Sequence, residues 1–250
     1  MSTRPFFTVG EAGSLGSLRS RREVLKLMAM GGSLVLLPTA LAACSDESPM
    51  GPGASTTPGS GNTLTIDFAK GDVAVLQFAY ALEQLEADFY TRVVAAFDQS
   101  NLTAAEKAIL LDIKYHEVQH RELFKAALGS SNDFTLSPTY PGVDFRDRLS
   151  VLTAARTFED LGVAAYNGAG QYLASAAFLT LAGKIVSIEA RHAAVIRDLL
   201  APGTSAFSPS AFDDVFSPGK VAGAAQGFVV DRLAFANAPS TFVQGPNNNG

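Results

Sequence analysis

Four stretches of the chain repeat apolar residues at helical spacing, and few anywhere alternate with period two. The first runs from Asp72 to about Asp98. Leu76, Ala79, Tyr80, Ala87, Tyr90, Val94 and Phe97 form its apolar stripe, with Gln77, Gln84, Asp88 and Arg92 on the opposite face. Thr103-Ala-Ala-Glu106 reads as a capping box opening a second helix, whose stripe of Ile109, Leu110, Ile113, Phe124 and Leu128 stops at Gly129. A third helix is expected over roughly 150–173. A fourth starts at Ser175 or Ala176 and runs to Leu200, where Pro202-Gly203 ends it. Strands are not expected. Further on, Ser217-Pro218 can cap a short helix reaching about Val229, and Asn247–Gly250 reads as disordered.

Loop lengths decide the topology. About four residues separate the first two helices, and the last two are joined as tightly, so each pair packs antiparallel as a hairpin. The connection from Gly129 to Leu149, with Pro138, Pro141 and Gly142, is 21 residues long. At about 3.3 Å per extended residue it can run the length of a helix of about 25 residues, about 38 Å. The expected fold is all-α, a four-helix bundle over residues 64–203 made of two antiparallel hairpins and one long crossover. Residues 204–250 are a C-terminal extension, in part disordered.

The apolar stripes carry residues that do not belong in a core. The first helix has Glu83, the second Glu117 and His120, the third Glu159, the fourth Glu189 and His192. A Glu and a His three apart lie about 60° apart around a helix, so each pair projects from one face. Ile113 and Phe124 flank one pair at helical spacing, Ile185 and Ile196 the other. Glu83 and Glu117 each lie 17 residues from a turn centred near Ser100, and Glu159 and Glu189 each lie 15 from one centred near Ala174. At about 1.5 Å per residue, the groups within each hairpin sit level to within a turn. A buried, unpaired carboxylate costs several kcal/mol or takes up a proton. Few Lys or Arg share these stripes, but two divalent cations balance four Glu. Oxygen and imidazole ligands suit iron first and manganese next, with zinc a further option.

This doubled Glu-x-x-His, with one Glu from each of two other helices, resembles the ferritin-like superfamily. The likeness is greatest to exported bacterial ferritin-like domain proteins related to plant desiccation-related proteins, and covers residues from about 70 to 200. Glu83 with Tyr90 repeats the family's helix-one Glu with an aromatic residue seven positions on, and Glu159 with Tyr166 repeats the spacing in helix three. The resemblance implies that Glu117 and Glu189 bridge two metals, that Glu83 and Glu159 are terminal ligands, and that His120 and His192 serve one metal each. Three points stay open. Glu86, one turn from Glu83, can ligate in its place, although the Tyr spacing favours Glu83. His116, one turn before His120, is a partner behind the ligands, a surface group or a ligand itself. Tyr90 and Tyr166 either hydrogen-bond ligands or fill core.

The N-terminus reads as an address. Arg21-Arg22 precedes a 17-residue apolar run from Leu27 to Ala43 that contains Gly31, Gly32 and Pro38, which resembles a twin-arginine export signal. The run is short of the roughly 20 residues of a transmembrane anchor. It ends Leu41-Ala42-Ala43-Cys44, a lipobox in which Cys44 is the lipidated first mature residue; the alternative is plain cleavage after Ala40-Leu41-Ala42. Residues 1–43 are thus the signal and 44–63, rich in Ser, Thr, Gly and Pro, a flexible tether. The expected location is the cell envelope or periplasm, with the membrane touched through the lipid alone.

Composition narrows the function. The 250 residues carry a net charge of −5, and the segment 1–43, with five Lys/Arg and two Asp/Glu, leaves −8 when removed. Such a surface draws cations and does not suit nucleic acid. A single Cys excludes an internal disulfide and a four-Cys redox module, so any reductant comes from outside. No nucleophile elbow or phosphate loop is present. A dinuclear site acts on dioxygen or peroxide. The leading expectation is a di-iron protein that oxidises Fe(II) or reduces peroxide. The alternatives are manganese-catalase-like peroxide disproportionation and a metal-stapled, stress-protective binding module without turnover.

Overall fold

Side-chain caps set the ends of the long helices. The computed structural model describes residues 58–132 and 134–245. The twin-arginine run, Cys44 and Asn247–Gly250 lie outside the described residues. Helix α1 spans Asp72–Ala95 and α2 Ala104–Leu128, opened by Thr103 and Glu106 as a complete capping box and closed at Gly129 with φ +53°. Helix α3 spans Arg148–Ala169 behind the cap Asp147. Helix α4 spans Ala176–Leu200 behind the cap Ser175. The first and third helices expected from the sequence thus end a few residues early, in separate 3-10 turns at Phe97–Gln99 and Gly170–Tyr172. Helix α5, Pro218–Ala225, starts at the cap Ser217 with Pro in its first turn, and a further 3-10 turn follows at Gln226–Phe228.

The helices form the expected four-helix bundle: α1 packs on α2, α3 on α4, and the crossover from 129 to 147 joins the hairpins. Asp72 at the start of α1 accepts hydrogen bonds from the backbone N–H groups of Ala174 and Ser175, tying that end to the turn between α3 and α4. Aromatic side chains fill the centre: Phe89 packs against Tyr140, Phe145 and Phe158, and Phe158 against Phe228.

Two strands correct the expectation of none. β1, Thr63–Asp67, pairs in parallel with β2, Arg232–Ala236, in the register Thr63 to Arg232. Each is five residues long, too short for period-two patterning to stand out. The tether expected to reach residue 63 also gives way to structure earlier: Gly59 and Gly61 donate to the carbonyls of Val229 and Val230. The extension is built onto the bundle. Phe235 meets Phe68 and Phe78 edge-on, and Phe216 N–H donates to the Ala164 carbonyl of α3 at 3.0 Å.

That covering changes α1. Gln77 and Gln84 lie opposite its apolar stripe, yet both are buried. Gln77 donates to the Ser131 carbonyl and Gln84 accepts from Leu136 N–H, both in the crossover. Helix α1 is therefore enclosed on nearly every side along most of its length. Among the described residues no helix is long and apolar enough to cross a membrane.

Candidate metal centre

Four carboxylates sit in the middle of the bundle with no solvent exposure at all: Glu83 from α1, Glu117 from α2, Glu159 from α3 and Glu189 from α4. With them lie His120 of α2 and His192 of α4, whose side chains are 13% and 6% exposed. His120 Nδ1 is 3.0 Å from Glu189 Oε1, 3.4 Å from Glu117 Oε2 and 3.6 Å from Glu83 Oε2. His192 Nδ1 is 2.9 Å from Glu117 Oε1, 3.3 Å from Glu159 Oε2 and 3.8 Å from Glu189 Oε2. These contacts lack hydrogen-bond geometry, and both Nδ1 atoms, both oxygens of Glu117 and Glu189, and Oε2 of Glu83 and Glu159 are buried without a partner.

The atoms form two overlapping groups, each within 4.8 Å: Glu83, Glu117, His120 and Glu189; and Glu117, Glu159, Glu189 and His192. Glu117 and Glu189 belong to both. Glu83 and His120 belong only to the first, Glu159 and His192 only to the second. All six residues singled out in the sequence meet here, with the shared and unshared positions in the pattern that the resemblance implies.

Two tyrosines tie the hairpins together across this layer. Tyr90 of α1 donates its hydroxyl to Glu159 Oε1 of α3, and Tyr166 of α3 donates to Glu83 Oε1 of α1. Each bond occupies the oxygen turned away from the cluster and leaves Oε2 pointing in. The tyrosines thus aim the unshared carboxylates as well as filling core. Burial, and next the neighbouring Glu159 or Glu83, pushes both phenols well above their ordinary range.

Glu86 belongs to neither group. It is buried one turn beyond Glu83, with its Oε1 against the backbone of Gly162, where an added Cβ would stand 3.0 Å away. Burial, then the charge of Glu189, raises its pKa well above the carboxylate range. The helix phase that favours Glu83 over Glu86 agrees with this placement. His116 is exposed on α2 but not idle: its Nδ1 stands 2.9 Å from His192 Nε2, with the two rings nearly parallel. Burial and the adjacent His192 hold its pKa below the ordinary imidazole range. Sequence spacing could not reveal this pair, because His192 comes from the other hairpin.

Protons offset part of the negative charge of this cluster. Burial pushes the Glu83 and Glu159 carboxyls up to about 8. Burial also opposes charge on Glu117 and His192, but there the ion pairs win. His120 and His192 hold Glu117 at about 2, and Glu117, Glu159 and Glu189 raise His192 to about 12. His120 moves upward in the same way. Four acids and two imidazoles with unsatisfied inward atoms fit a pair of divalent cations, since two metals at +2 cancel four carboxylates.

An apolar cavity of about 20 Å³ lies beside the cluster, lined by Ala79 and Leu82 of α1, Phe124 of α2, Tyr166 of α3 and Phe178 of α4. Its walls are almost wholly apolar.

The family model of the ferritin-like domain matches residues 71–202, more than half of the chain and all four long helices. The chain belongs to the ferritin-like domain family. Comparison with curated proteins gives no match. Family membership accounts for the bundle and for a Glu/His cluster able to hold metal; β1, β2 and α5 lie outside the matched segment.

Proposed function

We propose that this ferritin-like chain holds two divalent metal ions, iron by first choice and manganese next, and uses them on Fe(II), dioxygen or peroxide. The observation that carries the reading is the set of inward-facing atoms without partners, arranged in two overlapping groups that share Glu117 and Glu189. Bound metals would supply Lewis-acid and one-electron chemistry that the side chains lack. The protein's part is to fix the ligands, exclude water and hold protons. Glu83 and Glu159 are aimed by Tyr166 and Tyr90, and the apolar pocket next to Tyr166 suits an apolar diatomic such as dioxygen better than peroxide. The single Cys leaves electrons to an external donor.

The proposed setting is the cell envelope, reached by twin-arginine export and held by a lipid at Cys44. That route carries folded proteins, which fits loading of metal before export.

Elemental analysis of protein taken from its own compartment tests the reading. About two iron ions per chain, with oxygen consumed as Fe(II) is added, support it. Manganese with oxygen released from peroxide transfers the site to disproportionation, and a filled site inert to both oxidants makes the metals a structural staple. Protein without metal overturns all three.

A further inference from the structure

Once the two groups are compared beyond their ligand atoms, they are not equivalent. His192 turns Nδ1 to the carboxylates and Nε2 to His116 Nδ1 at 2.9 Å. His120 turns Nδ1 to the carboxylates in the same way, but among the described residues no side chain hydrogen-bonds its Nε2, and its side chain is the more exposed of the two. Proton placement gives this difference a meaning. An imidazole that offers Nδ1 to a metal must carry its proton on Nε2, and that N–H needs an acceptor. For His192 an acceptor is within reach, since His116 Nδ1 lies 2.9 Å from Nε2 and accepts in the tautomer that carries its proton on the outward nitrogen. For His120 only solvent is on offer.

Resting on the two-metal reading above, we propose that the two metal positions are built unequal: His116 is a positioning residue that locks His192 in the metal-binding tautomer, so that position fills first and holds, while the His120 position opens to solvent and exchanges. The pair also spans the hairpins, α2 to α4, so it fixes the ring against rotation as well as choosing its tautomer. His116 needs its exposed place on α2 for this role, since its own outward nitrogen must be solvated.

The test titrates Mn(II) into the chelator-stripped full chain and counts the free ion by its electron paramagnetic resonance. The wild type should show two steps, and crystals given one equivalent should show the ion beside His192. His116→Leu, which keeps the bulk and removes the acceptor, should weaken one step by about 10- to 100-fold and leave the other alone. His116→Asn, which returns an acceptor close to the lost Nδ1, should restore it. The effect of His116→Leu should persist in a His120→Ala background and vanish in a His192→Ala background. Equal weakening of both steps, no weakening, or failure of the Asn variant to restore a folded protein's tight step overturns the proposal. A wild type that takes up no Mn(II) at all instead removes the two-metal reading on which it stands.

Discussion

Glu117 and Glu189 differ from Glu83 and Glu159 by one property, membership of both ligand groups. On the two-metal proposal, removing a shared carboxylate strips a ligand from each ion, whereas removing an unshared one strips a ligand from one. Glu117→Ala or Glu189→Ala should therefore drop the content from about two metals per chain to below one, and Glu83→Ala or Glu159→Ala to about one. Elemental analysis beside circular dichroism checks this, because helix content should be retained. Metal kept at full level in both shared-ligand variants would refute the ligand assignment. Six of the residues at the cluster are legible in the sequence for a simple reason: a charge on an apolar stripe is an anomaly within one helix. Their outer partners are not legible in that way. His116 looks like any edge histidine until α4 brings His192 against it, and Tyr90 and Tyr166 look like core until the opposite hairpin supplies an acceptor.

The helices themselves announce their ends through short-range chemistry, and this is why their limits can be read within a few residues. Thr103 and Glu106 cap each other's backbone, and Ser175 and Ser217 each accept from a backbone N–H three residues on. Thr103→Ala should cost about 1 kcal/mol in chemical unfolding, with Glu106 losing the partner that fixes it near Arg148. The strands gave no such signal. Thr63–Asp67 and Arg232–Ala236 hold their register through each other and the bundle beneath, over a sequence separation no local rule spans. Gly168 permits a second long-range contact, the close approach of Phe216 to α3. A Cβ there would stand 1.9 Å from the Phe216 carbonyl oxygen, a backbone atom with no freedom to step aside. Gly168→Ala should thus lift the segment after residue 204 off α3, costing several kcal/mol. The expected signature is a fall in Tm with new protease cleavage between 204 and 217, while metal content is kept. Unchanged resistance to protease would show that the extension does not depend on this close approach.

For the molecule as a whole, folding, metal and protons are one linked equilibrium centred on the buried cluster. In metal-free protein Glu83 and Glu159 keep their protons up to about 8, while an unfolded chain releases them near 4.5. The folded state then binds more protons over that window, so its stability should fall as pH rises from about 4.5 to 8. His192 adds to the fall from 6.5 upward, since its folded value stands at about 12. Glu117 works the other way at the acid end, losing its contribution as pH drops from 4.5 toward 2. Metal reverses the main trend, because the cations need ligands stripped of protons. Near pH 7 the metal-free cluster holds protons on Glu83, Glu159, His120 and His192, and loading two divalent ions should expel about four protons per chain. Two measurements follow from it. The gap in Tm between metal-loaded and chelated protein should widen steadily from pH 5 to pH 8, and adding Mn(II) to weakly buffered protein at pH 7 should acidify the solution by that stoichiometry. A gap that narrows with pH, or binding without proton release, would mean that metal settles elsewhere than on these side chains.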